Sequence, residues 1–568
     1  MPQFYYMRIP VFLFFFIPLT LFSQNPYPQD YFGNPLDIPI VLAGTFAELR
    51  FNHFHSGMDI KTQHREGLNV LASADGFVSR IKISPFGYGK ALYITHPNGY
   101  TTVYAHLSKL APKIEAYLKE QQYEKESYTI ELFPPIKALV VKKGELVAYS
   151  GNTGSSAGPH LHFEIRDKNE HPINPMLFGI NTKDTTRPLI NALYAFPIDE
   201  DAQINKSNKK QQIRLIKQPD GNFTTESIEA VGKIGFGIET IDRQDLANNK
   251  NGVYNIQTLF NGNPNFEIDF RTFSFDETND INRLIDYDIY KNEKDKIQKL
   301  FIDTNNGLSL YKNTLDNGYL TISDSTSAVY KIKVSDFRGN ETSVTVSIDG
   351  KFNTDVLKTS PEVTPYYIYE NQAATLSEEN VTVNFYKNTF YEDFYIDFKV
   401  SNDTLQLLPI GHAARKNFNI TFDISKYNEA DKDKLFIAEL VGYKKWPSYS
   451  STKRTENTLS TFTKSLGYYT IASDTTAPKI TAVNFKDEQW ISNAKTLKVK
   501  ITDDLSGISD YRATINGKWI LMEYEYKTNT LTYNFDDQIS TEPHNDFKII
   551  VTDNVGNSST FEARFHRK

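Results

Sequence analysis

Gly151-Asn-Thr-Gly-Ser-Ser-Ala-Gly-Pro159-His160-Leu-His162-Phe-Glu164 is the stretch on which the reading of this chain turns. Its glycines and small polar residues up to Pro159 mark a loop. Beyond Pro159 the residues alternate. His160, His162 and Glu164 fall on one face of a strand, and Leu161 and Phe163 fall on the other, apolar face. Working outward, the same period recurs in Gly76–Ile83, Ala91–Thr95, Thr101–Ala105 and Leu146–Tyr149, with turn signals at Gly87-Tyr-Gly89, Pro97-Asn-Gly99 and Lys143-Gly144 between them. One helical pattern interrupts the strands: Pro112 suits a first turn, and Ile114, Tyr117, Leu118 and Gln121 follow at 3–4 spacing to about Tyr123. Residues 49–183 therefore read as a compact β domain with a helical insertion at 110–141.

Eight of the eleven histidines (53, 55, 64, 96, 106, 160, 162, 171) lie between residues 53 and 171. In His55-Ser-Gly-Met-Asp59 the even spacing puts both side chains on one face if the segment is a strand. Thr102-Val-Tyr104-Ala-His106 offers a third imidazole from a strand of similar pattern. Imidazoles with one carboxylate and no sulfur suit zinc, and three protein ligands leave an open position of the kind a catalytic site needs. Any one of these histidines is more simply an ordinary hydrogen-bonding residue; as a set they are not. Gly154-Ser-Ser156-Ala-Gly158 matches the serine-hydrolase elbow Gly-x-Ser-x-Gly, but a strand follows where that motif needs a helix. Ser156 is thus read as a loop residue lining a groove. Glu164 shares the face of His162 and is a candidate to orient it.

Residues 50–179 resemble the LytM/lysostaphin-type zinc metallo-endopeptidases of bacterial cell walls. The resemblance rests on His55-Ser-Gly-Met-Asp59, Tyr104-Ala-His106-Leu107 and Gly151-Asn-Thr-Gly…Gly158-Pro159-His160-Leu-His162. It implies a small antiparallel β-barrel-like fold (the duplicated hybrid motif) with a narrow groove. His55, Asp59 and His162 would hold one Zn2+. His106 and His160 would be the unliganded pair serving as base and oxyanion stabiliser. Substrates would be stem or cross-bridge peptides of peptidoglycan, with Arg50, Ser156 and Tyr104 as candidate substrate-binding residues. A base with an ordinary imidazole pKa implies activity falling as pH drops through ~6.5.

The rest of the chain repeats itself weakly. Asp184-Thr-Thr-Arg-Pro188 recurs as Asp474-Thr-Thr-Ala-Pro478, and Val334-Ser-Asp-Phe-Arg-Gly-Asn340 as Val551-Thr-Asp-Asn-Val-Gly-Asn557. A duplicated sandwich module accounts for this, with Ig-like β-sandwiches at 184–350 and 474–568 and another β domain at 351–473. At the other end, Arg8, the apolar run Ile9–Phe22 and Ser23 read as a signal peptide over 1–23, too short to cross a bilayer as a helix at ~20 residues. An extended leader, 24–48, follows. The fold class expected is mainly β: a peptidase domain and tandem β-sandwiches, in an exported protein of the periplasm, cell envelope or medium.

The 568 residues carry 62 Lys+Arg against 69 Asp+Glu, a net charge of −7, which argues against neutralising a nucleic-acid backbone. With no cysteine, disulfide scaffolds, thiol nucleophiles and Cys-ligated metals are excluded. No segment after the N-terminus is apolar enough for a stable membrane span. The sandwiches are expected to reach the wall or an envelope protein partner. The rival reading is a catalytically silent LytM-like regulator or envelope scaffold that activates another wall hydrolase.

Overall fold

The computed structural model describes residues 26–568 apart from 246, 357, 359, 361 and 536–541, so the signal peptide expected at 1–23 lies outside the described residues. The chain is mainly β, as its alternating patterns require. Its first domain is built from β1 (Leu42–Gly44), β2 (Leu49–Arg50), β3 (His53–Phe54), β4 (Met58–Lys61), β5 (Asn69–Leu71), β6 (Gly76–Ile83), β7 (Lys90–Thr95), β8 (Thr101–Ala105), β9 (Lys109–Leu110), α1 (Pro112–Glu124), β10 (Ile130–Leu132), β11 (Val140–Val141), β12 (Leu146–Tyr149), β13 (His160–Arg166) and β14 (Pro172–Ile173). The main sheet runs β1-β4-β13-β8-β7-β6-β10, and a second, three-stranded sheet runs β5-β12-β9. β13 lies inside the sheet, antiparallel to β4 on one side and β8 on the other. Its odd residues Leu161, Phe163 and Ile165 enter the core with Met58, Ile60, Val70, Ile94 and Tyr104. Its even residues face the opposite side.

Residues 24–48 were expected to be an extended leader, with no part in the core foreseen. Instead Phe32, Leu36, Ile40 and Leu42 are buried in the same core, and β1 pairs with β4. Those four apolar side chains are spaced too irregularly to show a period, so the sequence hid their burial. Helix α1 starts at Pro112 as expected. Glu115 reaches back to accept the Leu110 N–H at 2.9 Å, taking the place of a capping side chain, and Ile114 and Leu118 anchor the buried face.

Beyond residue 188 the chain forms three further β-rich units. A thirteen-stranded sheet covers 189–350, with Leu193, Phe236, Ile332 and Val346 in its core. Sheets of six and five strands over 366–473 enclose Val383, Leu405, Ile420 and Leu459. Sheets of four and five strands over 479–566 enclose Val499, Leu531, Phe547 and Val551. This last unit folds back onto the first domain. Leu521 joins the first domain's core, and Trp519 meets Tyr123 of α1 edge-on at 5.3 Å between ring centres. Arg512 pairs with Glu126 at 2.5 Å, and Lys90 with Glu523 at 2.6 Å. The helical insertion is therefore a docking surface for the C-terminal unit.

Candidate metal centre

The register of β13 assembles the site. His162 sits directly opposite Asp59 of β4 and opposite Ala105 of β8, so strand pairing alone brings two groups 103 residues apart into contact. His55 arrives differently. It lies ahead of β4, outside any strand, so the even spacing to Asp59 is not what aligns them. What aligns them is the turn Ser56-Gly57, which passes tight against β13: a Cβ on Gly57 would stand 2.3 Å from the Phe163 carbonyl oxygen. Gly57→Ala is expected to cost about 1–3 kcal/mol, read as a lowered midpoint in urea unfolding, and to lower metal affinity because it moves His55 relative to Asp59.

Three donor atoms converge. His55 Nε2 lies 3.0 Å from both Asp59 Oδ1 and His162 Nδ1, and His162 Nδ1 lies 2.8 Å from Asp59 Oδ1. The other ring nitrogens are tied down. His55 Nδ1 donates to the Thr45 carbonyl at 2.7 Å, leaving Nε2 as a lone pair, and His162 Nε2 donates to Glu164 Oε1 at 2.7 Å. Lone pairs at such separations repel unless positive charge lies among them. A tetrahedral zinc with bonds of ~2.0–2.1 Å holds its ligands only slightly further apart. All three side chains are buried.

The electrostatics agree. Burial drives His55 down, so it stays a neutral donor. Burial opposes charge on His162 too, yet hydrogen bonds to Asp59 and Glu164 win and hold it up at about 9. Asp59 is held well below the usual carboxylate range: burial works against this, and the surrounding imidazoles overcome it. The pocket is therefore tuned to take positive charge at His162 Nδ1.

Glu164 is fully buried and accepts from Ser56 Oγ at 2.7 Å, from Tyr88 and from Arg166 Nε at 2.6 Å besides His162. Arg166, with the next even position on β13, is buried as well. Its spacing from His162 and Glu164 was visible in the sequence. Tyr88, Thr45 and Lys527 carried no such signal. Lys527, from the C-terminal unit, donates to the carbonyls of Asn152, Gly154 (3.1 Å) and Ser156 (3.2 Å), pinning the loop that leads into β13.

His106 and His160 stand beside the triad, their rings 4.7 Å apart. β8 ends at Ala105, and His106 adopts φ +58°, so strand parity does not place its ring. Its Nδ1 donates to the Thr153 carbonyl at 2.9 Å, leaving Nε2 as an acceptor. His160 Nδ1 donates to the Gly158 carbonyl at 2.8 Å, and its Nε2 lies 3.4 Å from Asp59 Oδ1. Burial, then the charges of His162 and His160, push His106 down to about 3. With His106 as the base, the loss of activity expected through pH ~6.5 moves to lower pH, since the ring stays neutral well below it. The unfolded ring takes a proton near pH 6.5 and the folded ring refuses it until about 3, so stability falls as pH drops across that window. In His106→Asn, which tolerates the left-handed backbone, the fall in melting temperature over the same window is expected to be shallower by one proton's worth.

The three substrate-binding candidates land elsewhere. Tyr104 is fully buried in the core, its hydroxyl accepting the Ser73 N–H at 2.9 Å, because position 104 pairs with Phe163 on the core face of the sheet. Ser156 is also buried, donating to the Gly158 carbonyl at 2.8 Å within its own loop, which supports His160 rather than a ligand. Arg50 is spent on Asp59, Nη2 to Oδ2 at 2.8 Å, fixing the carboxylate's second oxygen.

Comparison with known proteins decides the type of this domain. Residues 53–123 and 137–175 match the model of Peptidase family M23. The first domain is of the M23 type. The M23 domain is 35% identical over 133 residues to the DD-carboxypeptidase/endopeptidase Mpg of Neisseria meningitidis serogroup B, covering 23% of this chain and 24% of that one. It is 31% identical over 124 residues to the murein hydrolase activator NlpD of Escherichia coli K12, covering 22% and 26%. Among solved structures, a zinc-containing peptidase from Vibrio cholerae matches at 29% identity and TM-score 0.19, over 26% of this chain and 38% of that one. The chain thus spans about a quarter of the length of the curated relatives it matches. Outside the M23 domain, residues 365–474 match a Zu5-like domain model.

Proposed function

We propose that this protein is a zinc-dependent endopeptidase that hydrolyses peptide cross-links of bacterial peptidoglycan, with His55, Asp59 and His162 holding the metal. The observation that carries the reading is the convergence of three buried donor atoms within 2.8–3.0 Å of one another, with the outer ring nitrogens of both histidines locked by hydrogen bonds. Bound zinc supplies Lewis acidity toward a scissile carbonyl and toward water. The chain's own residues do the rest. His106 Nε2, bare because Nδ1 is engaged by Thr153, takes the proton of the attacking water and returns it to the leaving amine. His160 takes a proton from solvent at Nε2 while Nδ1 stays on the Gly158 carbonyl, and donates it to the oxyanion. Arg50 and Glu164 keep Asp59 and His162 from turning away.

Relatives named as DD-endopeptidases support a peptidoglycan substrate, and the relative named as a murein hydrolase activator supports work on the same polymer, which export by residues 1–23 would make accessible. Among the described residues no helix is long and apolar enough to cross a membrane. All five site residues are present, and activation of another enzyme does not require them. The test is digestion of purified peptidoglycan by the full chain, with product peptides separated and identified. New amino and carboxyl ends at cross-links, lost on metal removal and restored by zinc, are expected. Intact cross-links in the presence of stoichiometric zinc would overturn the proposal.

A further inference from the structure

The seam between the M23 domain and the unit that follows it encloses a second cluster of ligand-type side chains. Asp184, Asp242 and Asp336 each offer a carboxylate oxygen within 4.8 Å of the others. They line a cavity of about 30 Å3, closed on the M23 side by Leu42, Thr45 and Asn174. Asp242 and Asp336 are buried. Asp336 is set rigidly: its Oδ1 accepts the Arg338 and Asn340 N–H groups at 2.8 and 2.9 Å, and its Oδ2 accepts Asn340 Nδ2 at 2.7 Å. Asp184 Oδ1 accepts the Thr186 N–H at 3.0 Å.

A separate side chain points to what the cavity holds. Asn251 lines it, is 2% exposed, and neither its Oδ1 nor its Nδ2 has a hydrogen-bond partner. Its backbone exchanges two hydrogen bonds with Asp242, 2.8 and 2.9 Å, which sets the two side chains next to each other. Asp242 Oδ1 is likewise buried without a partner. Buried amides and carboxylates are ordinarily satisfied, so this group of orphaned atoms requires a partner. Burial, then Asp336 and Asp184 nearby, push the Asp242 carboxyl up to about 7, a measure of the negative potential inside.

We propose that Asp184, Asp242, Asp336 and the Asn251 side-chain oxygen bind a divalent cation of the calcium class. Oxygen-only donors select a hard cation, and irregular geometry with an amide oxygen suits calcium better than the strict octahedron of magnesium. The cation would lock the seam to the M23 domain. Gly252, next to Asn251, exchanges hydrogen bonds of 3.0 and 3.1 Å with Thr45 Oγ1, and the Thr45 carbonyl is the group that orients His55.

The C-terminal unit repeats the frame with Asp474, Asp503 and Asp553. There Asp503 stands where Asp242 does here, but its Oδ1 accepts the Leu505 and Gly507 N–H groups at 3.2 and 2.7 Å, whereas Asp242 Oδ1 has no partner, so that triad is left out of the proposal.

The test is calorimetric titration of the full chain, dialysed into metal-free buffer, with calcium chloride, alongside thermal unfolding. Wild type is expected to show one saturable site and a raised melting temperature, with a dissociation constant at or below about a millimolar. Asp242→Asn, which gives up no hydrogen bond at Oδ1, loses the site, and Asp503→Asn keeps it. Asn251→Asp adds a charge and is expected to tighten binding about tenfold, a gain that misfolding cannot imitate. No saturable heat up to several millimolar calcium, or binding unchanged in both Asp242→Asn and Asn251→Asp, would overturn the assignment.

Discussion

His162→Ala is expected to bring bound zinc from one equivalent to none and to lower cross-link hydrolysis at least about a thousandfold. The size follows from the geometry. His162 Nδ1 stands 2.8 Å from the Asp59 donor and 3.0 Å from the His55 donor, so its loss removes one of three converging ligands and leaves two. The fold should survive, because the opposite face of β13 remains buried through Leu161, Phe163 and Ile165. Elemental analysis and product chromatography on the same preparation check both parts. A variant that lost zinc yet cut cross-links at the native rate would refute the metal's role. Full stimulation of a partner hydrolase by the metal-free variant, with no cutting by wild type, would favour the regulator.

Removing the charge of Glu164 should do two separable things. Glu164 is held well below the usual carboxylate range: burial opposes ionisation, and Arg166 and His162 outweigh it. Glu164→Gln therefore leaves Arg166 buried, with the more exposed Glu170 as its remaining carboxylate at 3.0 Å. Breaking such a pair costs about 3–5 kcal/mol, visible as a lower denaturant midpoint. The same change removes the anion that makes His162 a stronger donor, and loss of such a partner weakens metal binding about 10–100-fold. Glu164→Gln combined with Arg166→Met is expected to recover most of the stability and none of the affinity. Recovery of both together would mean that Glu164 acts on the fold alone.

The functional face of β13 was legible because strands alternate, whereas the ligand set of His55, Asp59 and His162 rested on the family resemblance. His160, His162 and Glu164 share a face by parity, and Leu161 and Phe163 mark the other as core. Parity failed wherever the backbone left the strand. His55 is placed by a turn that only glycine at 57 allows, and His106 by a left-handed residue after β8 has ended. Tyr104 and Ser156 sit inside motifs that point to the site, yet their side chains are consumed by Ser73 and Gly158. Motif membership does not say whether a side chain faces a groove or a core.

The sequence by itself determined a mainly β chain, a domain rich in histidine with the donors for a metal, the absence of thiol chemistry, and a duplicated Asp-rich turn. Those are properties of residue type and local period, which the covalent order carries. Tertiary structure alone decided that the Thr45 carbonyl fixes the His55 tautomer, that α1 carries the C-terminal unit, that Lys527 holds the loop before β13, and that Asn251 lines one cavity with three aspartates. Each of these joins segments separated by tens to hundreds of residues, and their meeting depends on strand register and packing, which no local pattern encodes.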